Sequence, residues 1–150
     1  MPLDSPEILL SEEDQALYLL AWQLIGAGYP SATIQGKTVY LHRVVLERKL
    51  GRELVEGEEV DHVNNIPTDN RRSNLRVATR SQNLANRRKQ ANNTSGFKGV
   101  DYRKDRKKWR ATISIKGVVE SLGHYDTPEE AHEAYKIAAL KEFGEFARFE

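Results

Sequence analysis

Four polar residues in the middle of the chain combine types and spacing that suit hydrolysis of a phosphate ester. Asp61 and His62 are adjacent, Asn74 lies twelve residues after the histidine, and Asn83 follows further along. A carboxylate and an amide oxygen can bind a hard cation, while an imidazole held by another polar group can take a proton from water. The alternative is that an Asp-His pair and two asparagines are ordinary surface and turn residues.

The absence of cysteine limits the metal that such a site could bind. The chain has no cysteine, so disulfides and cysteine-ligated zinc are excluded. Any metal must be held by His, Asp, Asn or water, which predicts Mg²⁺ or another hard divalent cation such as Mn²⁺. A module stabilised by a structural metal would need a closed set of soft ligands, which this sequence lacks.

Charge is distributed unevenly although the net charge is only +1. From Arg71 to Arg110 there are fourteen Lys or Arg and two acids, whereas Met1 to Val60 contains ten acids and five bases. Clustered bases favour a nucleic-acid partner, because they neutralise phosphates and release counterions. A solvated charged surface is the alternative.

Local patterns predict the elements that carry the four polar residues. In the first half, we expect a short strand over 7–10, a helix over about 12–25, a hairpin over 32–41 and a helix over 42–50 that ends before Gly51.

The second half of the chain has clear helix-start signals and a polar linker over 92–96. Thr79 to Gln82 reads as a capping box, which predicts a helix from about Arg80 to Gln90 with Asn83 in its first turn. Three strands and a final helix should follow. Their predicted ranges are 99–103, 109–115, 118–123 and a helix that starts at Thr127 and ends at Gly144.

Several separated motifs resemble the HNH endonucleases of phage and intron homing type. The matching segments are Leu41-His42-Arg43-Val44-Val45, Val60-Asp61-His62-Val63-Asn64-Asn65, Asp69-Asn70, Ser73-Asn74-Leu75-Arg76 and Ala78-Thr79-Arg80-Ser81-Gln82-Asn83. This resemblance covers about residues 29–90 and implies a ββα-metal fold. It also implies that Asp61 and Asn83 bind the metal, that His62 is the general base, and that the Asn74 side-chain oxygen fixes the imidazole.

His42 and Arg43 match a His-Arg pair of the same family. The resemblance implies a supporting role for both residues. His42 either packs against the active-site hairpin or touches phosphate, and we favour packing over catalysis.

Residues 95–149 resemble the DNA-binding domain of plant ethylene-response factors, an AP2-like domain. The segments that carry the resemblance are Gly96-Phe97-Lys98-Gly99-Val100, Lys108-Trp109-Arg110-Ala111-Thr112-Ile113, Leu122 to Ala131 and Ala134-Tyr135. It implies that a three-stranded sheet lies in the major groove of DNA, backed by a helix. Asp101 departs from the arginine usual there, and Val119 and Ser121 also depart, so the plant target sequence cannot be transferred.

Strand alternation predicts which side of this sheet faces DNA. Trp109, Ala111, Ile113 and Ile115 should pack on the helix, and the intervening residues should face outwards. We therefore predict a DNA-contacting set of charged and small polar residues. It comprises Arg80, Arg87 and Arg88 on the basic helix, Lys98 and Arg103 on the first strand, and Arg110, Thr112, Ser114 and Lys116 on the second.

Together these patterns predict an α+β chain, with an HNH nuclease module over 1–91 and a three-stranded antiparallel sheet packed on one helix over 92–150. We expect an endonuclease that acts on double-stranded DNA in the cytoplasm of a bacterial host, encoded by a phage or mobile element. No membrane partner is expected. Cutting both strands would require two copies or a second event, which leaves a homodimer open. The alternative is a DNA-binding regulator that keeps a non-catalytic HNH scaffold.

Overall fold

A computed structural model describes residues 7–149, and these form two compact units that meet between Ala78 and Thr79 in the sequence. The first unit mixes short strands with one α-helix. Its elements are β1 (Leu9–Leu10), β2 (Gln23–Ile25), β3 (Tyr29–Ile34), β4 (Lys37–Tyr40), α1 (Leu41–Leu50), β5 (Glu59–His62), β6 (Asp69–Asn70) and β7 (Leu75–Ala78). Short 3₁₀ helices cover Glu12–Leu19 and Arg72–Asn74.

Three small sheets make up the strand content of the first unit. Strands β2, β3 and β4 form an antiparallel sheet, and β5 pairs antiparallel with β7. Strand β1 pairs in parallel with β6, so the start of the described chain is fixed to the loop that precedes β7. The predicted hairpin is confirmed as β3 and β4, and α1 ends as predicted at Gly51, whose φ of 70° is left-handed.

The predicted helix over 12–25 is wrong in type and in length. Residues Glu12–Leu19 form a 3₁₀ helix, and the chain becomes extended at Leu20. Residues Gln23–Ile25 then pair with β3 instead of continuing the helix. Hairpin pairing of β2 with the next strand thus overrides the helical pattern, which periodicity alone cannot reveal.

Helix α1 lies in the core of the first unit. Leu41, Val45 and Leu46 are almost completely buried and pack with Leu75 at the start of β7. A buried acid also connects distant segments of this unit. The carboxylate of Asp14, which is not exposed to solvent, accepts Nε–H bonds from Arg48 at 2.8 Å and Arg72 at 2.7 Å. Hydrogen bonding from Arg72 is the main cause of the lowered pKa of Asp14.

The second unit is a three-stranded antiparallel sheet packed on one helix, as predicted. Its elements are α2 (Arg80–Ala85), β8 (Val100–Arg103), β9 (Lys108–Ile115), β10 (Val118–Tyr125) and α3 (Pro128–Phe143), with strand order β10-β9-β8. Ala131 of α3 packs with Val100 and Ala111 of the sheet. The Thr127 hydroxyl caps α3 by accepting the N–H of Glu130 at 3.2 Å. No helix in residues 7–149 is long and apolar enough to cross a membrane.

Helix α2 is grouped with the second unit, whereas the predicted boundary lay after residue 91. Both bonds of the Thr79–Gln82 capping box are present, which confirms the predicted start of α2, but the helix ends at Ala85. The Nζ of Lys98 donates to the carbonyls of Ala85 and Arg87, which α2 leaves without helical partners. These bonds tie α2 to the segment that leads into β8.

Gly99 provides a test of how the sheet packs on α3. Its φ of 77° is left-handed, and a Cβ there would lie 2.3 Å from Cδ2 of Tyr135 on α3. Gly99→Ala should lower the free energy of unfolding by more than about 2 kcal/mol, because it adds overpacking to backbone strain. Gly117→Ala is a matched control, since Gly117 has a φ of 79° and no atom within 4 Å of such a Cβ. It should cost only about 1 kcal/mol.

Urea unfolding of both variants measures the difference. Equal losses for Gly99→Ala and Gly117→Ala would show that contact with Tyr135 does not contribute.

Candidate active site

His62 stands at the end of β5 with its imidazole buried and oriented by an amide. Its Nε2 lies 3.0 Å from Oδ1 of Asn70, and the Nδ2 of Asn70 donates to the carbonyl of Pro67 at 3.1 Å. The carbonyl of Pro67 can only accept, so the amide nitrogen of Asn70 faces Pro67 and its Oδ1 faces the ring. This oxygen can in turn only accept a hydrogen bond. Nε2 of His62 therefore carries the proton, and Nδ1 is the nitrogen with a lone pair.

The surroundings of His62 favour a neutral ring. Burial is the main influence and lowers its pKa, while the hydrogen bond that His62 donates to Asn70 and the nearby charges of Asp61 and Asp69 oppose that change. A histidine whose pKa is below its ordinary value of about 6.5 is neutral at pH 7. The ring can therefore accept a proton, as a general base must.

Asn74 does not orient the imidazole in the way the resemblance implied. Its Oδ1 accepts the backbone N–H of Asn64 at 3.1 Å, and its Nδ2 donates to Oδ1 of Asn64 at 2.9 Å and to the carbonyl of Asp69 at 2.8 Å. Both ends of this amide are used to hold the loop between β5 and β7. Asn70 makes the bond to His62 that was predicted for Asn74.

A buried acid completes this loop. Asp69 accepts from Nδ2 of Asn64 at 2.8 Å, and its carboxylate forms two bonds with Arg71, from Nε at 2.8 Å and from Nη2 at 2.7 Å. Hydrogen bonding from Arg71 is the main cause of the lowered pKa of Asp69. The acid stays charged at neutral pH, and its bonds to Asn64 and Arg71 fix the backbone on which Asn70 follows.

Asp61, the predicted metal ligand, is almost completely buried beside His62. It lies directly across the β5–β7 ladder from Arg76, whose Nε donates to Oδ2 of Asp61 at 2.7 Å. Cross-strand partners project on the same side of a ladder, which explains this ion pair. A cation bound at Asp61 would share the carboxylate with a guanidinium.

The ring of His42 packs against that of His62. The His42 ring stacks on that of Tyr40. It also makes edge-on contacts with Tyr29 and His62, at distances between ring centroids of 5.3 Å and 5.4 Å. Burial lowers the pKa of His42 to about 4, so the ring is neutral at pH 7. Arg43 lies on the exposed side of α1, where its Nε pairs with Glu47 at 3.0 Å.

The remaining predicted ligand, Asn83, lies on α2 in the second unit. Within residues 7–149 no three His, Asp or Glu side chains cluster as a metal site. The donor types still fit a hard cation, because Asp61 supplies a carboxylate and Asn83 an amide oxygen, and Mg²⁺ commonly takes few protein ligands and keeps several waters.

Comparison with known proteins identifies both halves of the chain. A family model described as HNH endonuclease matches residues 39–85, and one described as AP2 domain matches residues 95–145. An uncharacterized HNH endonuclease of Acanthamoeba polyphaga mimivirus is 32% identical over 127 residues, and Protein 3.8 of Escherichia phage T7 is 32% identical over 94 residues. The chain belongs to the HNH endonuclease family.

The alignment with the mimivirus protein covers 84% of the present chain but only 64% of the mimivirus protein. The mimivirus protein therefore extends well beyond the aligned region. For the phage relative the shares are 63% and 77%. No solved structure matches the chain.

The AP2 domain of this HNH protein has the predicted two-sided sheet. Ala111 and Ile113 are buried on the side of α3, and Trp109 packs against the same core. Thr112 and Ser114 alternate with them on the opposite, accessible face. Arg110 lies on that face too, where it forms an ion pair with Asp101 of β8.

The structure differs from the prediction at two lysines. Lys98 uses its amine on the carbonyls at the end of α2, and burial lowers its pKa to about 8, so it does not extend from the accessible face. Lys116 follows the end of β9 in a turn with a φ of 51°, and its N–H donates to Ser81 Oγ at 2.8 Å. Strand alternation therefore does not set its direction.

The other predicted DNA-contacting residues are on the protein surface. Arg80 begins α2, and Arg87 and Arg88 follow the helix in an exposed segment. Arg103 ends β8 and pairs through Nε with Asp105 at 3.2 Å.

Sequence reasoning missed the role of Asn70 and the ring of Tyr29, whose centroid lies 5.9 Å from that of His62. Asn70 was part of the resemblance but received no role. Its position next to Asp69 in a turn-rich polar segment was the one available signal.

Asn70→Ala tests this orientation of the base. Because the hydrogen bond that His62 donates to Asn70 raises the pKa of His62, its removal should lower that pKa further. NMR titration of the His62 ring in EDTA measures the change, and His132 in the AP2 domain is the internal control. A larger change in Asn74→Ala than in Asn70→Ala would restore the role first predicted for Asn74.

Proposed function

We propose that this protein is a DNA endonuclease that hydrolyses phosphodiester bonds with one divalent cation and His62 as the general base. The observation that carries the proposal is the buried, neutral imidazole of His62. Its Nε2 is fixed by Asn70, and the neighbouring residue is the buried carboxylate of Asp61. An oriented base beside a cation ligand is what attack by water on a phosphate requires.

His62 would take a proton from the attacking water at Nδ1. The imidazolium that forms keeps its Nε2–H bond to Asn70, so the ring does not turn as it gains charge. Asp61 and Asp69 favour the positive charge on the ring, which helps the proton transfer. His42 and Tyr29 pack against the ring, which restricts its rotation.

Asp61 and Asn83 would hold Mg²⁺ or Mn²⁺. When bound, such a cation supplies charge stabilisation for the phosphate and the departing 3′ oxygen. Arg76 holds Oδ2 of Asp61 and so keeps this carboxylate in place beside the base. The AP2 domain would supply most of the grip on duplex DNA through the accessible face of its sheet. Arg110, Thr112 and Ser114 lie on that face.

Removing the base should separate cutting from binding. His62→Ala should reduce cleavage of supercoiled plasmid by about 10²–10⁴-fold, because that is the usual cost of losing a general base. Its affinity for duplex DNA should stay within a few-fold of wild type, since His62 is buried. Gel separation of open-circle and linear products gives the rate and shows whether one strand or both are cut. Wild-type cleavage by this variant would remove His62 from the mechanism.

Metal dependence is tested at Asp61. Asp61→Asn should abolish Mg²⁺-dependent cleavage, and excess EDTA should do the same to the wild type, because the anionic ligand or the cation itself is lost. Glu56→Gln is the matched control, since it removes an exposed carboxylate from the same unit. Full activity in EDTA would contradict the metal assignment.

The ion pair between Arg76 and Asp61 is also compatible with the alternative function, a DNA-binding regulator with a non-catalytic HNH scaffold. Arg76 neutralises Asp61 in this structure, as it would in a scaffold that no longer binds a cation. That alternative requires tight DNA binding with no cleavage under any divalent cation. The plasmid assay separates the two, and relatives from a giant virus and a phage support a role in viral or mobile DNA.

A further inference from the structure

The accessible face of the AP2 sheet carries one arginine whose geometry is set by a neighbouring acid. Arg110 of β9 and Asp101 of β8 are direct partners in the antiparallel ladder, so their side chains project on the same side. Arg110 donates from Nε to Oδ1 and from Nη2 to Oδ2 of Asp101, both at 3.1 Å. The acid therefore grips the guanidinium from its side.

This side-on grip leaves the end of the guanidinium available. Arginine has five N–H donors in a planar fork, and Asp101 uses two of them. Of the three remaining donors, one on Nη1 and one on Nη2 form a parallel pair at the tip, and within residues 7–149 the Arg110 side chain makes no other hydrogen bond. About a third of the Arg110 side chain is exposed, so a bound ligand such as DNA can contact this tip.

The tip fits a guanine better than a phosphate. Two parallel N–H donors match N7 and O6 of guanine in the major groove, which is the commonest specific contact of arginine with DNA. A phosphate in the same place would approach the Asp101 carboxylate and be repelled by it. The Asp101–Arg110 pair is also neutral as a whole, so it releases few counterions. The pair is therefore suited to reading a base, not to gripping the backbone.

We propose that Arg110, held side-on by Asp101, reads a guanine in the target of this protein. This inference rests on the proposed DNA-binding role of the AP2 sheet. Because Asp101 fixes the guanidinium before DNA arrives, less side-chain freedom is lost on binding. Asp101 is a positioning residue, and Arg110 makes the contact.

The neighbouring rows leave room for a base edge. Thr112 of β9 lies opposite Ser121 of β10, so small side chains border the arginine on one side along the strands. In the same row as Arg110, the partner on β10 is His124. A guanine edge could reach the Arg110 tip without meeting a bulky side chain from Thr112 or Ser121.

The test is selection from a library of duplexes with a randomised centre, using the full chain in EDTA so that no DNA is cut. Wild type should enrich a G·C pair at one fixed position. Arg110→Met and Arg110→Lys should lose that preference and bind the selected duplex about 5- to 150-fold more weakly, with little change on unselected DNA. Arg110→Lys keeps the charge but loses the fork, so a phosphate contact would survive it.

Asp101→Asn gives a readout that a purely structural role would not move. The preference for guanine should weaken, while affinity for unselected DNA rises and its log–log salt slope steepens by up to about 0.9, because the charge of Arg110 is no longer neutralised. Lys136→Met is the matched control, since Lys136 pairs with Glu133 on α3 and should leave the selected sequence unchanged. Circular dichroism confirms that each variant is folded.

An unchanged selected sequence in Arg110→Lys, or an equal loss on every duplex, would overturn the inference. If the wild type still cuts plasmid in that case, the proposed nuclease function stands. A wild type that selects no sequence overturns the inference as well. Failure of the wild type both to bind duplex and to cut plasmid would overturn the proposed function itself.

Discussion

The orientation of His62 depends on a loop that is held by side-chain amides and not by apolar packing. Asn64, Asp69 and Asn74 bond to one another and to the backbone between β5 and β7. These bonds bring Asn70 to the imidazole, and a buried polar group without its partner is costly. The network is therefore either complete or disrupted as a whole, so the base has one defined direction.

Ion pairs reshape the electrostatic picture that the linear count of charges suggested. The basic segment from Arg71 to Arg110 contains few acids, yet many of its cations bond to acids from inside or outside it. These pairs are Arg71–Asp69, Arg72–Asp14, Arg76–Asp61, Arg103–Asp105, Lys108–Asp126 and Arg110–Asp101. Several cations thus orient carboxylates within the protein. The exposed segment with Arg87 and Arg88 is better placed to attract a polyanion.

In both units the apolar core and the candidate functional residues occupy different parts of the structure. In the first unit α1 supplies three of the seven buried side chains of the apolar core, and the polar residues that hold the base lie in the loop between β5 and β7. In the second unit small residues let α3 approach the sheet closely, as the lack of a side chain at Gly99 beside Tyr135 shows. The opposite face of that sheet does not pack against α3, so it can carry polar residues.

The sequence by itself determined the elements whose signals are local and the types of residues available for chemistry. The Thr79 and Thr127 caps, the Gly51 helix end and the alternation along β9 depend only on neighbours within a few residues, so they were predictable. The adjacent Asp61 and His62 were likewise apparent from the sequence. Only the tertiary structure decided that Asn70 and not Asn74 bonds to His62, because the direction of a loop amide depends on several mutually bonded partners. The structure also decided that β2 pairs with β3 where a helix was predicted, and that the amine of Lys98 lies at the end of α2, because both depend on contacts between elements and not on local propensity.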